Sequence, residues 1–479
     1  IDRDFPMMRI GLVLWAALLL SACGNYFHDE INAPPLVTVP GTTTPEDPVD
    51  PPEGKPTSTS TVFAGVYDGG DTDEAVSVVT TTDGGYLVAG NTRSYGAGGK
   101  DIILLRLDQY GNMLWQKTLG GTKDDTVRSM IKTGGGYVIL GETTSFGKGD
   151  VDLWVIKLNA NGNIEWEKTY GGASTERAGG IIEGDNGCLI IGASTRSYGN
   201  GNYDMWFIQL SSLGELEYEL NEGDANNDFV EGVFKNHEDN FLFYGYTDHK
   251  APGLYKGVLY ETDKGFGLNV GAAINAGGNE IIRAIWQAPD HGYIAVIETN
   301  AFSAYSSSIL VAKFDYRMWS IEWQKYITGN GNSYGKLTIS GGDESFIIGG
   351  STRAYGAGDY DFFFIEMDFS GKVLKQKTMG STGTDFLHGM CPNGRGGYML
   401  AGYTTSFGIN TPGLFLTSFN GTNGIEESLM TVSDINATIF DSTARYEAFE
   451  YPWYDAHYYV DSYNTNAVIK TGEMKQRFY

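Results

Sequence analysis

An all-β fold, a seven-bladed β-propeller of four-stranded antiparallel blades, is predicted by three observations on this sequence. They are a seven-fold period near fifty residues, four short apolar runs within each period, and turn residues at every break. The clearest copies of the period are Gly84-Gly85-Tyr86-Leu87-Val88-Ala89-Gly90, Gly135-Gly136-Tyr137-Val138-Ile139-Leu140-Gly141 and Gly396-Gly397-Tyr398-Met399-Leu400-Ala401-Gly402. Taking Tyr86, Tyr137, Cys188, Phe241, Tyr293, Phe346 and Tyr398 as equivalents, the spacings are 51, 51, 53, 52, 53 and 52 residues. A period of this length marks an array of similar supersecondary units and lies in the range of propeller blades.

Within one period, residues 126–132, 137–144, 152–158 and 163–170 are rich in Val, Ile, Trp, Tyr and Thr, while Gly, Asn and Asp fill the breaks. Such runs read as strands joined by hairpins, and four of them make a blade. Seven blades arranged radially remove most of the strand edges that an isolated four-stranded sheet would leave open; a linear β-solenoid is the alternative, but its turns are usually shorter than this period. Residues 61–70 align with the last strand of a blade but precede any first strand, so they are expected to complete blade seven; residues 424–431 compete for that place.

The propeller, assigned to 61–432, is flanked by segments of different character. Residues 1–22 comprise an upstream stretch, Ile1 to Pro6, and then one positive charge, Arg9, before a short apolar run. That run is about half the ~20 residues a spanning helix needs, so it reads as a signal peptide. It ends in Leu20-Ser21-Ala22-Cys23, which resembles the lipobox of bacterial lipoproteins and implies cleavage before Cys23 and acylation of its thiol. The rest of 23–60 is Pro-, Thr- and acid-rich and reads as an extended tether. Asp29 and Glu30 resemble the acidic signals that send such lipoproteins to the outer face of the outer membrane, and two ordinary tether charges explain them equally well. Residues 433–479 leave the repeat and are aromatic-rich, a segment expected to pack on the propeller or a partner.

A formal net charge of −26 argues against nucleic acid and against electrostatic docking on anionic lipid, leaving a lipid anchor as the expected membrane attachment. Cys188 and Cys391 fall in different repeats, so burial of the thiols is expected in preference to a disulfide.

The segments Asp108-Gln109-Tyr110-Gly111-Asn112-Met113-Leu114-Trp115 and Asn159-Ala160-Asn161-Gly162-Asn163-Ile164-Glu165-Trp166 resemble the tryptophan-docking pattern of quinoprotein-like propellers. The string Thr-x-Ser-Phe/Tyr-Gly-x-Gly, followed by a strand opening on Asp, resembles the short propeller repeats of bacterial and archaeal surface proteins. Both likenesses imply fold more than activity.

Two recurring sets share one face. An acid stands 12 or 13 residues before the aromatic position in six blades, as Glu74, Asp125, Glu176, Asp228, Glu280 and Asp385, with Tyr334 in the remaining blade. The set reads either as a channel ring attracting a cation such as calcium, or as acceptors for turn amides repeated because the blades repeat. The second set is the hairpin Thr92-Arg93-Ser94-Tyr95-Gly96 and its copies, offering Arg93, Tyr95, Phe146, Arg196, Tyr198, Arg353, Tyr355 and Phe407 as a candidate binding face. Arg and aromatics are enriched at binding hot spots. They equally serve to cap a blade and pair with a neighbouring acid. Asp101, Asp152, Asp204 and Asp361 follow four of the aromatics by six residues and are expected to accept turn amides. Blades four and five depart from this hairpin, which marks them for a special surface.

No metal-ligand histidine spacing, nucleophile elbow or phosphate loop occurs, and Asp224-Ala225-Asn226-Asn227-Asp228 lacks the Gly and distal Glu of a calcium loop. The reading is a non-catalytic envelope lipoprotein that presents a propeller to a protein or glycan. A propeller enzyme, either a quinoprotein-like dehydrogenase or a polysaccharide hydrolase or lyase, is the alternative.

Overall fold

Alternating apolar residues and short glycine turns give each period one meandering sheet, and seven such sheets form the ring. The computed structural model describes residues 63–248, 254–302, 307–318 and 320–420, and the backbone of six short strands beyond them. Blade one is typical, with strands Asp73–Thr80, Tyr86–Thr92, Asp101–Leu107 and Met113–Gly120 paired in chain order. Blade seven takes Asp385–Pro392, Gly397–Thr404 and Gly413–Asn420 from the end of the array and Phe63–Asp68 from its start, Phe63 opposing Ser418. The N-terminal strand therefore closes the ring; residues 424–430 of the competing segment lie outside the described residues, as do Cys23 and everything before 63.

One backbone bond repeats at every blade junction. The amide that opens each first strand donates to the carbonyl just before the third strand of the preceding blade: Asp125 to Lys100, Glu176 to Val151, Asp228 to Tyr203, Glu280 to Tyr255, Ser333 to Ser307 and Asp385 to Tyr360. Asp73 N to Pro412 O, 2.8 Å, is the seventh and joins the end of the array to its beginning.

The ladders correct one alignment. Tyr86 opposes Leu107 across its hairpin partner, and the residue in the same place of blade three is Leu189, opposing Leu210, not Cys188. The Gly187-Cys188 pair imitates Gly85-Tyr86 one place early because a tight turn at Asp185–Gly187 sets a positive-φ glycine there. Cys188 and Cys391 are both free and half-buried rather than fully enclosed.

Outer strands lock to the next blade through rings seated on glycine. A Cβ on Gly162 would come within 2.5 Å of the Trp115 ring, and Gly214 and Gly371 stand in the same relation to Trp166 and Trp323. The Trp166 and Trp323 indoles donate to the carbonyls of Ser212 and Phe369 in the neighbouring turns, at 3.1 and 2.9 Å. These glycines sit at φ of +73°, +74° and +80°, so the turn needs glycine both for its backbone and for the ring above it.

Beyond residue 420 the chain reverses around the outside of the ring. Thr431–Asp434 adds a fifth strand to blade six, Thr438–Asp441 to blade five, Arg445–Phe449 to blade four, Asp461–Asn464 to blade two, Val468–Lys470 to blade one and Lys475–Phe478 to blade seven. Each pairs antiparallel with an outermost strand, so the segment supplies partners to sheet edges that a propeller otherwise leaves open. In blade seven, Phe63–Asp68 lies between Gly413–Asn420 and Lys475–Phe478.

Candidate functional site

The recurring hairpin is held together internally. Thr92 Oγ1 accepts the amides of Ser94 and Tyr95 and donates to Asp73 at 2.5 Å, while Ser94 Oγ donates to the other Asp73 oxygen at 2.7 Å. Gly96, at φ +123°, leaves no room for a Cβ beside Asp101, whose carboxylate accepts the amides of Ala97 and Gly98. Asp152, Asp204 and Asp361 accept turn amides in the same way.

The eight residues of the candidate face divide. Tyr95, Phe146, Tyr198, Tyr355 and Phe407 turn inward against the blade cores; Phe146 packs 5.3 Å from Trp154, Tyr198 5.8 Å from Trp206, and Phe407 5.4 Å from Phe415. Arg93 reaches Asp124 at 4.0 Å. Arg196 lies over the Tyr203 ring at 5.3 Å, and Arg353 lies over Tyr360 at 5.2 Å while pairing with Asp359.

The acid set also needs a register correction. The ladder position opposite the hairpin threonine holds Asp73, Asp125, Glu176, Asp228, Glu280, Ser333 and Asp385; Glu74 and Tyr334 stand one residue later. All six carboxylates at this position are buried. Asp125 accepts from the Thr143 and Ser145 hydroxyls and the Gly121 amide, and Asp385 accepts likewise from Thr404, Ser406 and Ser381. Burial pushes the carboxyls of Asp73, Glu176, Glu280 and Asp385 up, and that of Asp228 to about 6, against the hydroxyl and amide bonds that favour ionisation. Asp73, Asp125, Asp228, Glu280 and Asp385 also accept an amide at the end of the preceding blade and so staple the hairpin to it, while Glu176 accepts from Thr195 of its own hairpin. Among the described residues no group of three or more His, Cys, Asp or Glu gathers in a way that could hold a metal ion.

The channel chemistry comes from positions the repeat does not mark. Every first strand carries a β-bulge three residues after the staple position, and the extra residue is Val76, Arg128, Gly179, Glu231, Arg283, Lys336 or His388 in blades one to seven. A bulge leaves its extra residue outside the ladder and re-aims the side chain. Here the bulge side chains of Arg128, Glu231 and Arg283 meet, while Val76 packs on a blade core. Glu231, 1% exposed at its side chain, accepts from Arg128 at 2.7 Å, Arg283 at 2.9 Å and Arg177 at 2.7 Å, so blades two, three, four and five converge on one carboxylate. Burial opposes its ionisation, but Arg128, Arg283 and Arg177 hold the group well below the usual carboxylate range. Lys336 is pushed down to about 7 by burial and by the facing Arg128, and His388 down to about 4 by burial and by Lys336. The His388 Nδ1 lies 3.1 Å from the Ala75 carbonyl.

Two aromatic groups flank the mouth above these charges. Blades three and four bring Tyr203, Phe229, Tyr246 and Tyr255 together with successive ring centroids 4.8 to 4.9 Å apart, and Arg177 lies over Phe229 at 5.0 Å. Blades six and seven bring together Tyr334, Tyr360, Phe386 and Tyr403, with Phe386 and Tyr403 stacked at 5.7 Å. The residue before the hairpin threonine explains part of this asymmetry. Asn91, Glu142, Ser194 and Ser351 each use that position to accept an amide of the next blade, whereas Tyr246, Glu298 and Tyr403 fill it with groups that contact Arg177, Arg283 and His388 respectively. Glu298, bonded to Arg283 at 2.8 Å, completes the contribution of blades four and five. Reading the third residue after each staple position would have found the bulge set.

No family model matches the chain. It is similar to the regulatory protein FlaEY of Caulobacter vibrioides, 24% identical over 165 residues, a match that covers 29% of this chain and spans only 17% of that protein's length. Among solved structures it is similar to the WD40 domain of Pan2 from Neurospora crassa, with a TM-score of 0.47, 11% identity and coverage of 78% of this chain and 100% of that one. It is also similar to Sqt1 from Chaetomium thermophilum, solved bound to the N-terminus of a ribosomal protein, with a TM-score of 0.46, 10% identity and coverage of 74% and 98%. An α-L-arabinofuranosidase from Fusarium graminearum, in complex with an iminosugar inhibitor, matches with a TM-score of 0.38, 13% identity and coverage of 75% and 98%.

Proposed function

We propose that this chain is a non-catalytic recognition scaffold of the bacterial envelope, lipid-anchored to the outer membrane through Cys23, whose binding surface for a protein or glycan is the channel mouth. The observation that carries the reading is the pair of tyrosine and phenylalanine groups around the mouth, half-buried apart from the buried Tyr246 and edged by Arg177, Arg196 and Arg353. Aromatic side chains supply large contact area at little entropic cost and arginine adds charge-assisted hydrogen bonds, the composition of interface hot spots. The hairpin staples and the junction bonds hold the mouth rigid, so a ligand meets a preformed surface.

The test is capture from solubilised envelope with the full chain and with a Tyr360→Ala, Tyr403→Ala variant. Loss of the captured component in the variant, at unchanged melting temperature, supports the mouth as the site; equal capture refutes it. Anchoring is tested separately, since Cys23→Ser should move the folded protein from the membrane to the soluble fraction.

A further inference from the structure

We infer that the mouth takes a peptide carrying a single carboxylate, that of a Glu side chain, which enters the channel and pairs with Lys336. The inference rests on the channel mouth being the binding surface. Lys336 is the bulge residue of blade six and is half-buried, yet its ammonium makes no hydrogen bond or ion pair with any described residue. The charged groups that face it are Arg128, Glu231, Arg283 and Arg177, and Glu231 already has both oxygens engaged by the three arginines. The other carboxylates nearby are committed elsewhere: Glu298 to Arg283, Glu74 to Asn91 and Lys100, and Glu142 to the Ala178 amide. His388, the remaining neighbour, is held neutral by burial and by Lys336 itself. One ammonium is thus left facing cations in a confined space, the setting in which an incoming carboxylate gains most.

Three features favour a peptide over an acidic sugar. The channel is crossed at the bulge layer by the 2.7 Å contact between Arg128 of blade two and Glu231 of blade four. That contact narrows the channel, and a carboxylate on a thin methylene stem passes a constriction more readily than one carried directly on a sugar ring. Several mouth rings have a face taken by a guanidinium group or by another ring, as in Arg177 over Phe229, Arg196 over Tyr203 and Phe386 on Tyr403, which leaves fewer open faces for a sugar to stack on. The net charge of −26 repels an acidic run at long range, which selects one seated carboxylate over a polyanion.

The experiment uses the full chain and two pools of randomised seven-residue peptides, N-acetylated and C-amidated, one with Glu at the centre and one with Gln. Retention should be about tenfold to a hundredfold higher for the Glu pool, the range of one charge-assisted hydrogen bond. Lys336→Met should erase that preference without lowering the melting temperature, because it removes an unpaired cation. The preference should also strengthen from pH 8 to pH 6, as Lys336 gains its proton. Equal retention of the two pools, or a Glu preference that survives Lys336→Met, overturns the inference. If Tyr360→Ala with Tyr403→Ala abolishes retention of both pools while they remain equal, the mouth stands as the site and only the carboxylate claim falls. Binding of oligogalacturonate with neither pool retained transfers the mouth to glycan; no binding of any probe removes both readings.

Discussion

Replacing Glu231 with Gln tests whether the channel charges form a unit. The wild-type carboxylate accepts three charge-assisted bonds at 2.7, 2.7 and 2.9 Å, and its side chain is 1% exposed against 26%, 30% and 23% for Arg128, Arg177 and Arg283. All four groups are less than a third exposed, so solvent screens the interaction only in part. Removing the charge leaves three guanidinium groups facing one another, and breaking a buried pair in this way costs about 3–5 kcal/mol. Gln keeps one acceptor oxygen, which places the expected loss near 3 kcal/mol. Denaturant unfolding at pH 7 reads this as a lower midpoint at unchanged slope. The pH dependence gives a second, independent check. The folded-state carboxyl is depressed, so its stabilisation is complete above the unfolded value of about 4.3 and is lost as pH falls through that value toward the folded one. At pH 3.3 the gap between wild type and variant should therefore be about 1.4 kcal/mol narrower than at pH 7. Equal midpoints at pH 7, or a gap that does not narrow at pH 3.3, would refute the argument.

Asp125→Asn should cost about 1.5–3 kcal/mol for each charge-assisted bond it fails to replace among those from Thr143, Ser145 and Gly121, and added calcium should leave the wild-type melting temperature unchanged. Gly162→Ala, at φ +73° and 2.5 Å from the Trp115 ring, should destabilise by roughly 1–3 kcal/mol, read in the same unfolding assay. Truncation after residue 420 should leave a chain that self-associates, measured by light scattering, because the outer edges of six blades lose their added strands. A monodisperse truncated monomer would count against an edge-covering role.

The fold was legible because its signals recur. A period of glycine, aromatic and threonine positions survives averaging over seven copies, and even the ring-closing strand announced itself as a fourth strand without a blade before it. The staple carboxylates were visible for the same reason, although a purely numerical offset placed Glu74 where the ladder puts Asp73 and Tyr334 where it puts Ser333. The bulge residues were not visible. Val76, Arg128, Gly179, Glu231, Arg283, Lys336 and His388 share a place but no residue type, and reading for self-similarity discards what differs between copies. The path of the last fifty residues was hidden for a different reason. Strands of three to five residues carry too little pattern to identify their partners, and their order around the ring runs against the order of the blades.

That reversed path bears on how the ring-closing strand is held. A pull on the N-terminal side of the ring acts first on Phe63–Asp68, the strand that closes it. On an ordinary outer edge this strand would be held by one ladder alone, here the pairing of Phe63 through Tyr67 with Ser418 through Leu414. Lys475–Phe478 adds a second ladder on its other side, from Gly65 through Asp68, so the strand sits inside a five-stranded sheet. Its side chains are tied as well. Phe63 packs on Gly111 of blade one, and the Tyr67 hydroxyl donates to the Gly111 carbonyl at 2.5 Å. Detaching the first strand therefore requires breaking two ladders and a junction between blades at once. Placing the first and last strands side by side in one blade puts the closing strand among the last to yield to a pull on its N-terminal end.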